Sequence, residues 1–388
     1  MLPNVKYWLA LVPVDGLTTQ KEGSRYWLDE TLSDIIEAEL GEATVLMSAG
    51  LWRDRLRLNY VKKREKVFAD SGGFQFYFLT PGRQNEFYKV RDSLYRFQVI
   101  TGDYVAGGDI PVGMELDRAQ VDYYAGLTKD NMEYQFGLDK DLGKRFINVM
   151  HGQSPENMEC WYNKVKDFPS IGWAVGAKGS GAFGNILQLM FLHEKGELTP
   201  GTLVHMFAMS GKYTINAVIW FIKQLGLDLI VSSDSSSYSL GRYGAMFYRG
   251  GNIKYDDVRS GDIVLELWNG RIVKDIPQKM FKELYRDIMF TSVQHFCRWF
   301  RDEALGIYER GGDELDRLIT REKTDQVLKD YQEGGIAQVW EKYRAWVPGQ
   351  SEENLLGSFQ VMENRNNAYK KKTKRKGFGP KLTETPLF

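Results

Sequence analysis

Cysteine is almost missing: Cys160 and Cys297 are the only two in 388 residues. So few thiols exclude a disulfide scaffold, fit a reducing compartment and forbid a zinc site built from three or four thiolates. Long hydrophobic runs are missing too. No stretch approaches the roughly 18 apolar residues that span a bilayer. The early run at 7–12 is too short and wrongly flanked for a signal peptide, so a cytoplasmic protein without membrane contact is expected. No Gly-x-Gly-x-x-Gly follows the first apolar run, which argues against a dinucleotide fold, and no solenoid-length repeat is present. Disorder is excluded by the 43% apolar and 13% aromatic content, which supplies ample core.

Net charge is lacking as well, with 51 basic side chains against 51 acidic ones, but the balance is uneven. Between Arg365 and Lys381 stand eight cations and no acid, so the rest of the chain sums to −8. Such a tail reads as an arm for a polyanion or as a plain solvated terminus.

Short apolar, β-branched runs recur at 66–69, 104–108, 146–150, 172–175, 203–207 and 227–231. They lead into Asp70, Asp109, His151, Gly176, Ala208 and Asp234, spaced 25 to 42 residues apart, and stretches of helical period lie between them. That is the repeat of strand–helix units in a parallel sheet. Two earlier runs, at 9–14 and 44–47, are read as a first strand and a flanking hairpin. Among the helices, 155–166 starts with Ser154 as cap and Pro155 at the first position, and 214–225 stops at Gly226. Residues 288–310 read as one long helix, with further helices over 313–329 and 336–345. The expected architecture is α/β, a (β/α)8 TIM barrel over 1–300, followed by a helical extension over 301–363 and a basic flexible tail over 364–388.

Three of the strand ends carry a carboxylate: Asp70, Asp109 and Asp234. In a barrel these ends converge on one mouth. Crowded carboxylates push each other's pKa values apart, so that one stays ionised as nucleophile while another keeps a proton as general acid. That is the logic of glycosidic-bond chemistry. A single Asp after a strand is commonly an inert helix cap; three at the same end of the sheet favour a shared pocket. In Asp70-Ser71-Gly72-Gly73-Phe74-Gln75, paired glycines let backbone N–H groups approach a planar ligand and Phe74 offers a ring to stack on, unless the segment is a plain tight turn.

That hexapeptide resembles the signature of the guanine transglycosylases, barrel enzymes that swap guanine for a 7-deazaguanine in nucleic acid. Further segments match in the same order. Gly102-Asp103-Tyr104 through Asp109-Ile110-Pro111 is similar to the segment whose Asp reads the guanine edge. Val149-Met150-His151-Gly152 falls at the family's Gln-Gly pair, and Gly172-Trp173-Ala174-Val175-Gly176 resembles its Gly-Tyr-Ala-x-Gly-Gly strand. Val204-His205-Met206-Phe207 resembles the strand after it, and Asp234-Ser235-Ser236-Ser237-Tyr238-Ser239-Leu240 resembles the archaeal-type segment that begins with the nucleophile. The likeness covers roughly residues 66 to 310.

The departures are specific. No cysteine follows Asp234 until Cys297, so the family's zinc site is absent and that region must be held by packing. His151 stands where an amide usually meets the base, and Ala177 and Lys178 replace a Gly and a Leu. The gapless match to the nucleophile is Val231, three residues before Asp234. These departures are most similar to the DpdA-like DNA-guanine transglycosylases of bacterial modification islands and phages. The resemblance then implies Asp234 as nucleophile, Asp70 as general acid and base, and Ser71, Gly72, Phe74, Asp109, His151 and Gly176 around the base. It implies DNA and a free 7-deazaguanine of the preQ0 or preQ1 type as substrates, no cofactor and no metal. Helicase-like partner proteins that open the duplex stay an open question, as do a zinc-free tRNA-guanine transglycosylase and a silent nucleic-acid-binding subunit. For the phosphate backbone the candidates are the tail and the cluster Arg53, Arg55, Arg57, Lys62, Lys63, Arg64 and Lys66, which also reads as an exposed helix.

Overall fold

Eight short strands close a parallel barrel in the computed structural model, which describes residues 4–11, 18–21, 25–56, 62–73, 84–111, 117–176, 181–209, 211–235, 238, 245–248 and 251–347. The strands are β1 (Asn4–Ala10), β2 (Thr44–Ser48), β3 (Lys66–Asp70), β4 (Tyr104–Ala106), β5 (Phe146–Val149), β6 (Gly172–Val175), β7 (Leu203–Met206) and β8 (Ile230–Ser235). Each pairs with its neighbours in sequence, and β1 closes the ring by pairing with both β2 and β8. Strands buried on both faces need continuous apolar runs, and β2, β5, β6 and β7 are buried at every residue. Gly172 is required by the sheet itself: a Cβ there would sit 1.9 Å from the Leu203 carbonyl oxygen. The segment at 44–48, expected as part of a hairpin, is therefore the second barrel strand. The hairpin lies before it, where residues 18–21 pair with 25–28.

The barrel is filled by aromatic rings below its mouth. Trp8 on β1 packs against Phe68 on β3 and Tyr104 on β4, at 5.7 and 5.2 Å between centroids. Strands that are not neighbours touch only through the interior, so these side chains point inward. Phe68 also stacks on His205 of β7 at 4.3 Å, and Phe207 meets the same histidine edge-on.

Helices follow the strands and cover the barrel: α1 (Glu30–Leu40), α2 (Ala49–Leu56), α3 (Gln84–Thr101), α4 (Arg118–Leu138), α5 (Pro155–Val165), α6 (Gly181–Glu194) and α7 (Lys212–Gln224). The expected cap is present on α5, where the Ser154 hydroxyl accepts from the Asn157 N–H. After β8 comes a small region with its own apolar cluster of Val258, Leu265, Leu267, Val273, Ile276, Leu284 and Ile288. The chain then returns to the barrel through α8 (Tyr285–Trp299).

The long helix expected over 288–310 is broken. A π-turn at Phe300–Ala304 follows α8, and Asn216 of α7 repairs it by donating to the Ala304 carbonyl while accepting from the Tyr308 N–H at 2.9 Å. The helix expected over 313–329 is also two, α9 (Asp313–Glu322) and α10 (Thr324–Tyr343), because Lys323 takes a left-handed conformation at φ 52°. Within α10 the pair Gly334–Gly335 kinks the chain, and Lys342 and Tyr343 reach back to the Asp330 carboxylate. Tyr331 donates to the Met190 carbonyl of α6, and Val327, Leu328, Ile336 and Val339 join the barrel's own core.

Candidate active site

The strand ends bring Asp70, Asp109 and Asp234 to one mouth. Asp70 is the last residue of β3 and pairs in register with Ser48, the last of β2. Asp109 follows β4 by three residues, and Asp234 lies next to last in β8, level with Trp8. The Asp70 carboxyl is pushed up to about 7, mostly by burial and then by the Asp109 and Asp234 carboxylates, against the opposing pull of the Ser48 hydroxyl and the Gly72 N–H. Two other carboxylates acting on one partly buried acid is what a shared pocket requires. Val231, the gapless alternative to Asp234, is the second residue of β8, fully buried and level with Val5.

Asp109 is held on both sides. The Ser71 hydroxyl donates to Oδ1 at 2.9 Å and His151 Nε2 meets Oδ2 at 2.8 Å, all three residues being buried. Since a carboxylate only accepts, the histidine proton sits on Nε2, which leaves Nδ1 as a buried atom without a partner among the described residues. The His151 ring is fixed edge-on to Trp161 at 4.7 Å.

The two glycines after Ser71 serve a different purpose from the one their sequence suggests. The Gly72 N–H turns back to Asp70 Oδ2 at 3.2 Å, and the Gly73 N–H to Ser71 Oγ at 3.1 Å. A Cβ on Gly72, which has φ 79°, would lie 2.3 Å from the Gly50 nitrogen, and one on Gly73 would lie 2.3 Å from the Asp109 carbonyl oxygen. They are glycines because the turn packs against two backbones, and their N–H groups shape the carboxylates. Gly176 departs likewise: its N–H donates to Gln188 Oε1 at 2.7 Å, and Gln188 Nε2 continues to the Gly152 carbonyl at 3.0 Å. That amide ties the ends of β5 and β6 together, so Gly176 does not offer a free N–H to a base. Phe74, Ala177, Lys178 and the tail over 364–388 lie outside the described residues.

Asp234 has partners that motif reading missed. The Ala208 N–H donates to Oδ1 at 2.8 Å, and Ala208 holds a left-handed φ of 53°, a strained value for a residue with a Cβ. His205 Nε2 stands 3.2 Å from the same oxygen but out of line for a hydrogen bond, while its Nδ1 meets Ser232 Oγ at 3.0 Å. A histidine inside an apolar strand, one strand before Ser-x-Asp at period two, was the available signal.

Three cations of the cluster before β3 are paired with acids, and the side chains of Arg53, Arg55 and Arg57 lie outside the described residues. Lys62 pairs with Asp103, Lys63 with Glu30, and Arg64 with Asp34 and Glu37. The zinc site of the resembling family does not fit this chain. Cys297 is wholly buried in α8 with its thiol pushed up by burial, and an apolar cluster packs the stretch from Val258 to Ile288. Among the described residues no group of three or more His, Cys, Asp or Glu is placed to hold a metal ion, and no helix is long and apolar enough to cross a membrane.

No protein-family model and no curated protein matches the chain. A functional reading therefore rests on the residues and their geometry.

Proposed function

We propose that the protein is a pentosyltransferase that exchanges guanine in DNA for a 7-deazaguanine base through a covalent bond between Asp234 and the sugar carbon C1′. The observation that carries this reading is Asp70, a carboxylic acid raised to about 7 by burial first and then by the neighbouring carboxylates Asp109 and Asp234. Base exchange needs three acidic roles in one pocket: an acid that still holds a proton near neutrality, a carboxylate that binds donors and a carboxylate that attacks.

The target guanine leaves the stack and enters the barrel mouth. Each Asp109 oxygen has two lone pairs, and Ser71 and His151 use one apiece. One acceptor per oxygen remains, which suits the ring N–H and the exocyclic amine of guanine. Phe74, by its place in the motif, stacks on the base. Asp234 attacks C1′ as the C1′–N9 bond breaks, and Asp70 protonates the departing nitrogen. Asp70 then takes the proton from the incoming deazaguanine, whose nitrogen attacks C1′ and returns the electron pair to Asp234. One glycosidic bond replaces another, so the exchange is balanced without oxidant or nucleotide. With Lys62, Lys63 and Arg64 paired to acids, the candidates for the phosphate contacts are Arg53, Arg55, Arg57, Lys66 and the basic stretch from Arg365 to Lys381.

Incubation with labelled guanine and either DNA or tRNA tests the reading. Label in DNA is the expected result. Label in tRNA alone rejects the DNA substrate, and label in neither rejects base exchange. Because Asp70 acts first as an acid, base release is expected to slow as pH rises through about 7.

A further inference from the structure

The two oxygens of Asp234 are not equivalent. Oδ1 takes the Ala208 N–H at 2.8 Å and has His205 Nε2 3.2 Å away, whereas no donor among the described residues reaches Oδ2. His205 is fully buried, stacked on Phe68 and edge-on to Phe207, so its ring has little freedom to turn away. The Ser232 hydroxyl at Nδ1 completes the arrangement: donating there, it keeps the ring proton on Nε2, facing the carboxylate. Ser232 and His205 are level with each other on adjacent strands, and Asp234 follows Ser232 by one inward-facing step. Two side chains on adjacent strands, Ser232 and His205, therefore form one line beneath the Asp234 carboxylate, ending in a donor not yet in hydrogen-bond alignment.

We infer that His205 is a positioning residue that makes Asp234 a good leaving group: it acts on Oδ1, while Oδ2 forms and breaks the bond to C1′. This rests on the base-exchange reading above and extends it to the second half of the reaction. When the Oδ2–C1′ bond forms, Oδ1 becomes an ester carbonyl and accepts more weakly. When the incoming base nitrogen, deprotonated by Asp70, attacks C1′, the Oδ2–C1′ pair returns to the carboxylate and Oδ1 regains negative charge. A donor aimed at Oδ1 is strongest at that moment, and it favours release of the intermediate over its accumulation. The misalignment fits this role, since catalytic hydrogen bonds often tighten only when charge develops.

The test compares wild type with His205→Phe and His205→Gln, using labelled guanine, mixed-sequence duplex DNA and SDS-stable protein–DNA adduct as readouts. Phenylalanine keeps the stack on Phe68 and removes the donor; glutamine restores one. Expected for His205→Phe is exchange slowed roughly tenfold or more, the scale of a lost hydrogen bond to a charged group. The KM for guanine should stay within about twofold and the fraction of chain held as adduct should rise. His205→Gln should recover part of the rate and lower the adduct again, and melting curves of both variants report that the fold is kept. Wild-type exchange and adduct level in His205→Phe would overturn the inference. So would adduct falling in parallel with exchange, which marks a displaced Asp234. Absence of both label and adduct in the wild type itself would instead bring down the base-exchange reading, and this inference with it.

Discussion

His151 meets Asp109 in line at 2.8 Å, with Ser71 on the other oxygen, whereas His205 stands 3.2 Å from Asp234 and out of line, with only a backbone N–H completing the contact. The same two side-chain types thus form a locked pair on one side of the barrel mouth and a loose pair on the other. In the proposed exchange, a carboxylate that recognises a base gains from being immobile, because every oxygen lone pair then points to a fixed place. One that becomes an ester and returns needs one oxygen free and a donor whose hold strengthens as its charge returns. Asp70 feels both carboxylates, which add to the effect of burial in raising it to about 7.

The largest effect expected is at the loose pair. Asp234→Ala should lower guanine exchange by at least about 10³-fold, as loss of a nucleophile does. Measured as label incorporated into DNA, with DNA binding checked by gel shift, binding should survive where exchange does not. Near-normal exchange in this variant would reverse the roles assigned to the two pairs. Next comes Asp109→Asn, which turns one acceptor into a donor facing Ser71 or His151. It should raise the KM for guanine on the order of 10²-fold and destabilise the fold by roughly 1–3 kcal/mol in urea unfolding. Asp234→Asn, which keeps an oxygen for the Ala208 N–H, should cost less than half of that. Equal losses would mean the pairs do not differ as their geometry suggests.

Asp70 sharpens the contrast through pH. Its folded pKa of about 7 lies above the unfolded value of 3.8, so the folded state holds the proton more tightly and stability declines as pH rises from about 4 through 7. Asp70→Asn removes that penalty. At pH 8 it should be more stable than wild type on the order of 3 kcal/mol, and at pH 3.5 the advantage should vanish, as read from melting curves. An advantage that persists unchanged at low pH would show that burial, not ionisation, is being relieved. The smallest effect belongs to Ala208→Gly, which relieves the left-handed φ of 53° and should raise stability by about 1 kcal/mol in urea.

Much of this was written along the chain. The apolar runs at 66–69, 104–108, 146–150, 172–175 and 203–207 fall on five barrel strands, because a strand covered on both faces has to be continuously apolar. Thr44–Ser48 was harder to place, since five residues without a helical partner of obvious period read equally as hairpin. The long helix after Asp287 breaks at a π-turn whose free carbonyl is satisfied by Asn216, some 88 residues earlier, and local pattern carries no trace of such a contact. At the site, Asp70 and Asp109 were legible because each ends its apolar run, and Asp234 because it follows one within three residues. The fate of the backbone N–H groups at Gly72, Gly73 and Gly176 was not, since it depends on which side chains fold back to claim them. His205 escaped for a similar reason. Its link to Asp234 is a matter of register between β7 and β8, which strand order sets and spacing alone does not.

The measurement closest to the central claim is the site of the covalent bond. Wild-type protein quenched with acid during exchange, digested and read by mass spectrometry should carry the sugar fragment of the DNA on the peptide containing residues 230–235, at Asp234. Exchange proceeding with the sugar on Asp70 or Asp109, or with no adduct on any peptide even in the slow His205→Phe variant, would contradict the account.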